Sequence, residues 1–237
     1  MPFDNALGVA LVLGLFGLLI LIPLWPGDKQ GVKVLRRWGI GDPAPPDVAE
    51  AVRYLRRRRF WYPWLFLGLP ALADAAGLAD DPAPSIILAT LLGGALIAEV
   101  LAQRPPRGAR REATLDSRRV HTLIPVWGLV VYATVVTATA VWLVLHRSWV
   151  LLGVAAVTSA ITWLIILLAV RRPSTGDGTV DTALRVRSAR VAAGLGAAAT
   201  ASLAPAQNLT SWILVVAGLA AWFHLAGGTR AEVTRCR

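Results

Sequence analysis

Apolar stretches of membrane length recur seven times along this chain, and the basic residues between them collect in alternate loops. That pattern leaves few folds open. In hydrocarbon every backbone N–H and C=O must be satisfied within the protein, so only helices or closed barrels can span, and continuous runs of this length are helical. The expected fold is an all-α integral membrane protein, a seven-transmembrane-helix bundle. A soluble surface could not accommodate 56% hydrophobic residues and a mean hydropathy of +0.58.

The spans are expected at 7–25, 60–78, 84–103, 122–145, 149–170, 191–204 and 209–226, in one membrane domain covering 1–237. The first has 19 uncharged residues, close to the ~20 needed to cross. It reads as a retained helix and not a signal peptide: residues 1–6 carry Asp4 and no Lys or Arg, and Ile22-Pro23-Leu24-Trp25-Pro26 offers no small-x-small cleavage site. The sixth is short and rich in Ala and Gly, and low in hydropathy. Small residues let backbones approach closely, so it is read as a helix packed inside the bundle.

Charge sets the direction of threading. Of 24 Lys and Arg, nine lie in the loop 26–59, six in 104–121, five in 171–190 and three in the C-terminal tail, leaving only Arg147 on the other side. The positive-inside rule then puts the N-terminus outside and the C-terminus in the cytoplasm. The preference for Ala, Arg and Val over Lys and Met is that of a high-GC bacterium, which makes the membrane the cell (cytoplasmic) membrane.

Pro45-Pro46-Asp47 with Glu50 three residues on reads as a capping box, after which Val48, Ala51, Val52 and Leu55 share one helix face. After the fifth span, Thr179 as cap with Val180, Ala183 and Leu184 repeats the theme. At an offset of 132 residues Val48, Ala51, Val52, Arg53 and Arg58 face Val180, Ala183, Leu184, Arg185 and Arg190. Two cytoplasmic amphipathic helices thus lead into spans two and six. The order span, amphipathic helix, span, short turn, span occurs twice around the fourth span, a parallel 3+1+3 repeat about an axis along the membrane normal.

Arg56-Arg57-Arg58-Arg59 runs straight into Phe60-Trp61-Tyr62-Pro63-Trp64, cations followed by interfacial aromatics. These arginines, with Arg107, Arg110 and Arg111 of the proline-containing loop, are the expected contacts for anionic lipid headgroups on the cytoplasmic side or for a membrane or cytoplasmic protein partner. No nucleic acid is expected, since no folded domain is foreseen to present the arginines.

Ionisable residues within spans are the next suspects. Glu99, His121 and His224 fall near the cytoplasmic ends of their spans and could converge into a polar site; Asp74 lies toward the outer end of the second. Thr134, Thr137 and Thr139 of the fourth span, with Thr158, Ser159 and Thr162 of the fifth, are expected to bond across helices or to line a polar path. Trp25, Trp38, Trp61, Trp64, Trp149 and Trp212 sit at or near span ends, as in an aromatic belt.

The sequence lacks His-Glu-x-x-His, Gly-x-Ser-x-Gly, Walker-type and Asp-Asp-x-x-Asp patterns. Its only lysines, Lys29 and Lys33, precede the second span, so a retinal Schiff base is ruled out, and the single Cys236 can form neither an intrachain disulfide nor a cysteine-based metal cluster. No catalytic residue, metal or cofactor is expected. The expected function is that of a non-catalytic accessory or scaffold subunit. The alternatives are a small-solute or lipid transporter with its path between the halves, and an intramembrane lipid-modifying enzyme using Glu99 and His224.

Overall fold

The computed structural model of the chain describes residues 25–75, 84–103, 120–171, 178–204 and 208–227, with positions 12, 14, 15, 17–19 and 21 of the first stretch; at 74, 84–87 and 178–180 the backbone alone is described. The described positions of the first stretch are helical. Eight further helices follow among the described residues: α1 (Asp28–Arg37), α2 (Pro45–Ala75), α3 (Pro84–Ala102), α4 (Val120–Leu123), α5 (Val126–Leu145), α6 (Trp149–Arg171), α7 (Gly178–Ala201) and α8 (Leu209–Gly227). No strand occurs among them. Three helices, α5, α6 and α8, are long and apolar enough to cross a bilayer, which points to a membrane protein.

The centre of the structure is α7. Every residue from Ser188 to Ser202 is buried, and the helix packs against α3, α4, α5, α6 and α8. The sequence explains how one helix can have five neighbours. Ala192-Ala193-Gly194-Leu195-Gly196-Ala197-Ala198-Ala199 presents almost no side chain, so the surrounding backbones come in close. A Cβ placed on Gly194 would lie 2.8 Å from Trp222 Cα, and one on Gly218 of α8 would lie 3.0 Å from Ala198 Cα. Large apolar side chains are pushed outward instead: Leu145, Trp149, Val157, Leu209, Ile213, Val216 and Phe223 are all exposed. Small and polar groups inside with bulky apolar groups outside is the arrangement expected where the surroundings are hydrocarbon.

Both amphipathic segments continue without interruption into the helix that follows, so the expected segment 191–204 is the second half of a helix that begins at 178 and ends at 201. The start of α2 differs in detail from the capping box expected there. Its first residue is Pro45, whose missing N–H costs nothing at that position, and Asp47 Oδ2 accepts the Ala44 N–H at 3.2 Å, so Asp47 fills the third-position role assigned to Glu50. Thr179, expected as the cap of the second amphipathic segment, lies inside the first turn of α7.

The stretch 26–59, expected as a loop before the amphipathic helix, contains α1. This helix ends in a Schellman motif: Gly39 takes φ 92, and Ile40 N–H donates to Leu35 O at 3.1 Å. Leu35 and Trp38 bury their side chains against Val48, Ala51, Val52 and Leu55 of α2 and against Ala183 and Leu184 of α7. Residues from the apolar faces of both amphipathic segments thus join α1 in one buried cluster, a small cap with its own core. Trp38 belongs to this core, not to an aromatic belt.

The expected fourth span, 122–145, is broken. Pro125 cannot donate and disfavours helical geometry at Ile124, so α4 stops at Leu123 and α5 starts at Val126. The Leu123 carbonyl, left without a helical donor, accepts a bond from Arg190 Nε at 3.1 Å. At the other end of the bundle α5 turns into α6 through Arg147, a non-glycine residue at φ 55. Asn208 and Ser211 cap α8 reciprocally, the Ser211 N–H donating to Asn208 Oδ1 at 3.0 Å.

Close packing around α7 has a measurable consequence. Gly194→Ala and Gly218→Ala should each cost about 1–3 kcal/mol, because the added methyl meets backbone that cannot step aside. Gly153→Ala, which meets nothing within 4 Å, should be neutral or stabilising by a few tenths to about 1 kcal/mol. Thermal unfolding in a mild detergent discriminates these cases, and equal shifts at all three positions would contradict the packing described.

Candidate functional site

Where the cap meets the bundle, three helices bring one carboxylate into a closed polar cluster. Glu99, one turn before the end of α3, is fully buried at 0% exposure. Tyr54 of α2 donates its hydroxyl to Glu99 Oε1, and Ser188 of α7 donates to the same oxygen at 2.5 Å. Gln103 Nε2 in turn donates to Ser188 Oγ at 2.7 Å. The second oxygen, Oε2, lies 3.1 Å from Arg58 Nε, an ion pair by distance in which the N–H is not aimed for a hydrogen bond. Arg58 also lies over the Tyr62 ring at 5.9 Å, and Tyr62 stacks on Phe66.

The helices dictate this meeting. Tyr54 and Arg58 are four residues apart and so share one face of α2, while Glu99 and Gln103 are four apart on α3. Ser188 stands where α7 passes from its amphipathic half into its alanine-rich half, at the level where a small side chain lets α3 approach. Burial pushes the Tyr54 hydroxyl well above its ordinary value and the Glu99 carboxylate adds to that shift, with Arg58 and Arg187 opposing it. For Arg58 burial works against the charge, but Glu99, with Tyr62 and Tyr54, outweighs it and holds the guanidinium above its ordinary value. Arg59, partly buried and repelled by Arg58, is held below its own.

Of the residues expected to converge, only Glu99 is inside. His121 and His224 are exposed, and among the described residues no hydrogen bond joins Glu99 to either. No group of three His, Cys, Asp or Glu side chains gathers among the described residues to hold a metal ion. Asp74 lies in the last turn of α2. Glu99 pairs instead with an arginine of a neighbouring helix, Arg58 of α2.

The arginine run divides by role. Arg58 turns inward to Glu99; Arg56 Nε donates to Pro26 O at 3.0 Å and Arg59 donates to Gln30 Oε1 at 3.3 Å, so these two hold the start of α1. Arg57 is half-buried and engaged within the protein. Arg107, Arg110 and Arg111 lie outside the described residues. The sequence reading missed Tyr54, Ser188 and Gln103 as partners of Glu99; the four-residue spacings Tyr54/Arg58 and Glu99/Gln103 were the available signal.

A second ion pair, Asp181 with Arg185, lies one turn apart in the buried first half of α7. The threonines expected to bond across helices bond within their own: Thr139 donates to Val135 O, Thr158 to Val154 O and Thr162 to Thr158 O. Thr134 and Thr137 are exposed. Between α2, α3, α6 and α7 lies a cleft of about 490 Å³ whose only polar lining residues are Thr90 and Thr158. Thr158 already bonds its own helix, so the cleft offers apolar surface. Glu99 does not line it.

No protein-family model matches the chain, and no curated protein or solved structure is detectably similar to it. Its class therefore rests on its own features: an all-helical protein with three helices able to span a membrane, a small-residue central helix and a buried carboxylate that accepts from two other helices.

The cluster behaves as a fastening. Glu99→Gln leaves Arg58 facing a neutral amide and should cost about 3–5 kcal/mol, as breaking a buried pair does. Tyr54→Phe removes one donor and should cost about 1–3 kcal/mol. A double-mutant cycle between Tyr54→Phe and Ser188→Ala, read by thermal or denaturant unfolding, should give a coupling of at least about 0.5 kcal/mol because both hydroxyls share one oxygen. Additive losses would show that the bonds act independently.

Proposed function

We propose that the chain is a seven-span protein of a bacterial cytoplasmic membrane, N-terminus outside and C-terminus in the cytoplasm, acting without catalysis as an accessory or scaffold subunit. One observation carries this reading: the one carboxylate of the cluster between cap and bundle ties three helices together, while the surface turned away from the bundle is a folded basic cap. Tyr54 and Ser188 both donate to Glu99 Oε1, and Arg58 pairs with Oε2 by charge, so the carboxylate ties α2, α3 and α7 together. Lys29, Lys33, Arg36, Arg37, Arg53 and Arg56, by contrast, are all exposed on α1 and the adjoining part of α2. A partner with acidic surface, or the anionic headgroups of the cytoplasmic leaflet, would meet this cap first.

Seven spans and the N-outside direction are supported by the near-complete segregation of basic residues. The parallel 3+1+3 repeat draws support from packing. In the first half α2 packs against the first stretch, with Leu67 3.2 Å from a Cβ placed on Gly14, and also against α3. In the second half α7 packs against α6 and α8. The middle helix of each triplet thus touches both flanking ones.

A lipid or hydrophobic-solute transporter is the second reading, favoured by the apolar cleft, since α2 and α3 come from one half and α6 and α7 from the other. An enzyme using Glu99 and His224 as acid and base draws no support from their geometry, with one buried and the other exposed.

Two experiments test these readings. Isolation of the protein in native-lipid particles, followed by mass spectrometry, should yield a stoichiometric protein partner; an isolated chain carrying a hydrophobic small molecule would favour the transporter. Cys236 is the only cysteine, so a membrane-impermeant maleimide should label it only after the membrane is opened. Labelling of intact spheroplasts would put the tail outside and remove the odd number of spans.

A further inference from the structure

The cleft between α2, α3, α6 and α7 lies at the end of the bundle away from the basic cap. On α2 the cap core ends at Leu55, and the cleft is lined by Leu69, Leu72 and Ala73, at least about 20 Å further along the helix. On α6 the lining runs from Val150, one residue into the helix, to Ile161. With the cap in the cytoplasm, as proposed above, the cleft falls in the outer leaflet.

Its dimensions are those of a hydrocarbon chain. Val150 to Ile161 cover about 16 Å along α6, and one leaflet supplies about half of a ~30 Å hydrocarbon core. A cavity of ~150 Å³ with aliphatic and aromatic walls takes a benzene ring, so about 490 Å³ has space for roughly eighteen carbon atoms on the same scale. Spread over about 16 Å, that volume has a mean section of about 30 Å², a fraction of the section of a helix about 10–12 Å across. A single acyl chain fits, and a helix from a second copy does not.

The lining matches the same occupant. Leu96 and Ala199 are buried and form the floor, while Leu72, Val150 and Val157 are exposed and form the rim. The rim residues also belong to the outer apolar surface, so the cleft is continuous with the surface that meets hydrocarbon. Thr90 and Thr158, its only polar lining residues among those described, are both engaged within the protein. Gly93 and Gly153 keep the cleft clear: both line it, and a Cβ on either meets nothing within 4 Å. At Gly128, Gly194 and Gly218, by contrast, a Cβ would come within 2.8 Å of a neighbour. Glycine weakens a helix, and no close approach of backbones accounts for it at Gly93 or Gly153. We propose that this cleft holds one acyl chain of an outer-leaflet phospholipid, recognised by its hydrocarbon and not by its headgroup. Among the described residues α2 and α6 have little direct contact, and a chain held between them joins them.

Retained lipid can be counted on the full-length protein. It is purified in mild detergent, supplied separately with phosphatidylcholine and phosphatidylglycerol of the same chain composition, and examined by native mass spectrometry, with thermal unfolding of every variant measured in parallel. One molecule of either lipid per chain should persist, to the same degree, after the remainder is stripped. Gly93→Leu and Gly153→Leu place a side chain of four carbons in the free space of the cleft, and each should weaken that retention at least about tenfold while remaining folded. Ala220→Leu adds similar bulk to the exposed surface of α8, which contributes no described lining residue, and should leave retention unchanged.

Loss of both lipids from the unaltered protein would overturn the proposal and needs no variant to fold. Retention of phosphatidylglycerol alone would overturn it by putting recognition in the headgroup. Full retention in both glycine variants, or a loss in Ala220→Leu equal to theirs, would do the same by making the lipid an unspecific part of the surrounding layer. Persistence of a hydrophobic molecule other than a lipid would assign the cleft to the transporter reading instead. Because the lipid is counted on the isolated chain, a failure here leaves the accessory-subunit reading standing, and the absence of a protein partner leaves this one standing.

Discussion

The approach of backbones around α7 is the constraint from which the rest of the structure follows. Between helices surrounded by lipid there is no hydrophobic gain from burying one apolar side chain against another, so association depends on close contact and on the few polar bonds that contact allows. The run of alanine and glycine from Ala192 to Ala201 provides that contact on every side at once, and Ser188 to Ser202 are buried throughout. A leucine-rich helix in the same place would hold α3, α5, α6 and α8 apart by the width of its side chains. Large apolar residues such as Leu96, Ile165, Ile166 and Leu225 close around that helix, and others, such as Val157, Ile213 and Phe223, appear on the outer surface.

Close contact also explains the polar cluster. Ser188 reaches Glu99 because nothing larger stands between α7 and α3, and Tyr54 reaches it because α2 runs on from its amphipathic half without a break. A carboxylate at this depth is costly unless donors surround it. Here two hydroxyls, one from α2 and one from α7, donate to it, and a guanidinium from α2 supplies the opposite charge. The cluster lies beside the cap core of Leu35, Trp38, Val52 and Leu55, so the cap and the bundle join at a polar seam.

Much of this was legible in the residues and some of it was not. The helices α5, α6 and α8 announce themselves by continuous apolar length, which needs no knowledge of neighbours. Segment 191–204 was correctly read as internal, because small residues have little use on a lipid-facing surface. Its true extent was not legible: Asp181 and Arg185 look like solvent-facing charges until each is seen to have the other one turn away. α1 was missed because its apolar residues are few, although Asp28 in its first turn and Arg36 and Arg37 in its last were signals of a helix. The break at Pro125 was visible in principle and was overridden by the length of the apolar run. Glu99 stood out as an ionisable residue within a span, but its partners came from helices whose rotation no linear pattern specifies.

The two long helices that open with an amphipathic segment, α2 and α7, are unlike in what their later parts do. The membrane-length part of α2 carries Trp64, Leu67 and Leu72, all exposed, whereas the matching part of α7 carries alanine and glycine and is enclosed. α5 packs against α7 and α8 and so completes the enclosure of α7. The cleft between α2, α3, α6 and α7 runs against α7 at Ala199, and its only polar lining residues, Thr90 and Thr158, are both engaged within the protein. Among the described residues the cleft offers apolar surface, and the cap carries a group of exposed basic side chains. The division of the molecule into an apolar cleft and a basic cap thus follows from the same small-residue helix that holds it together.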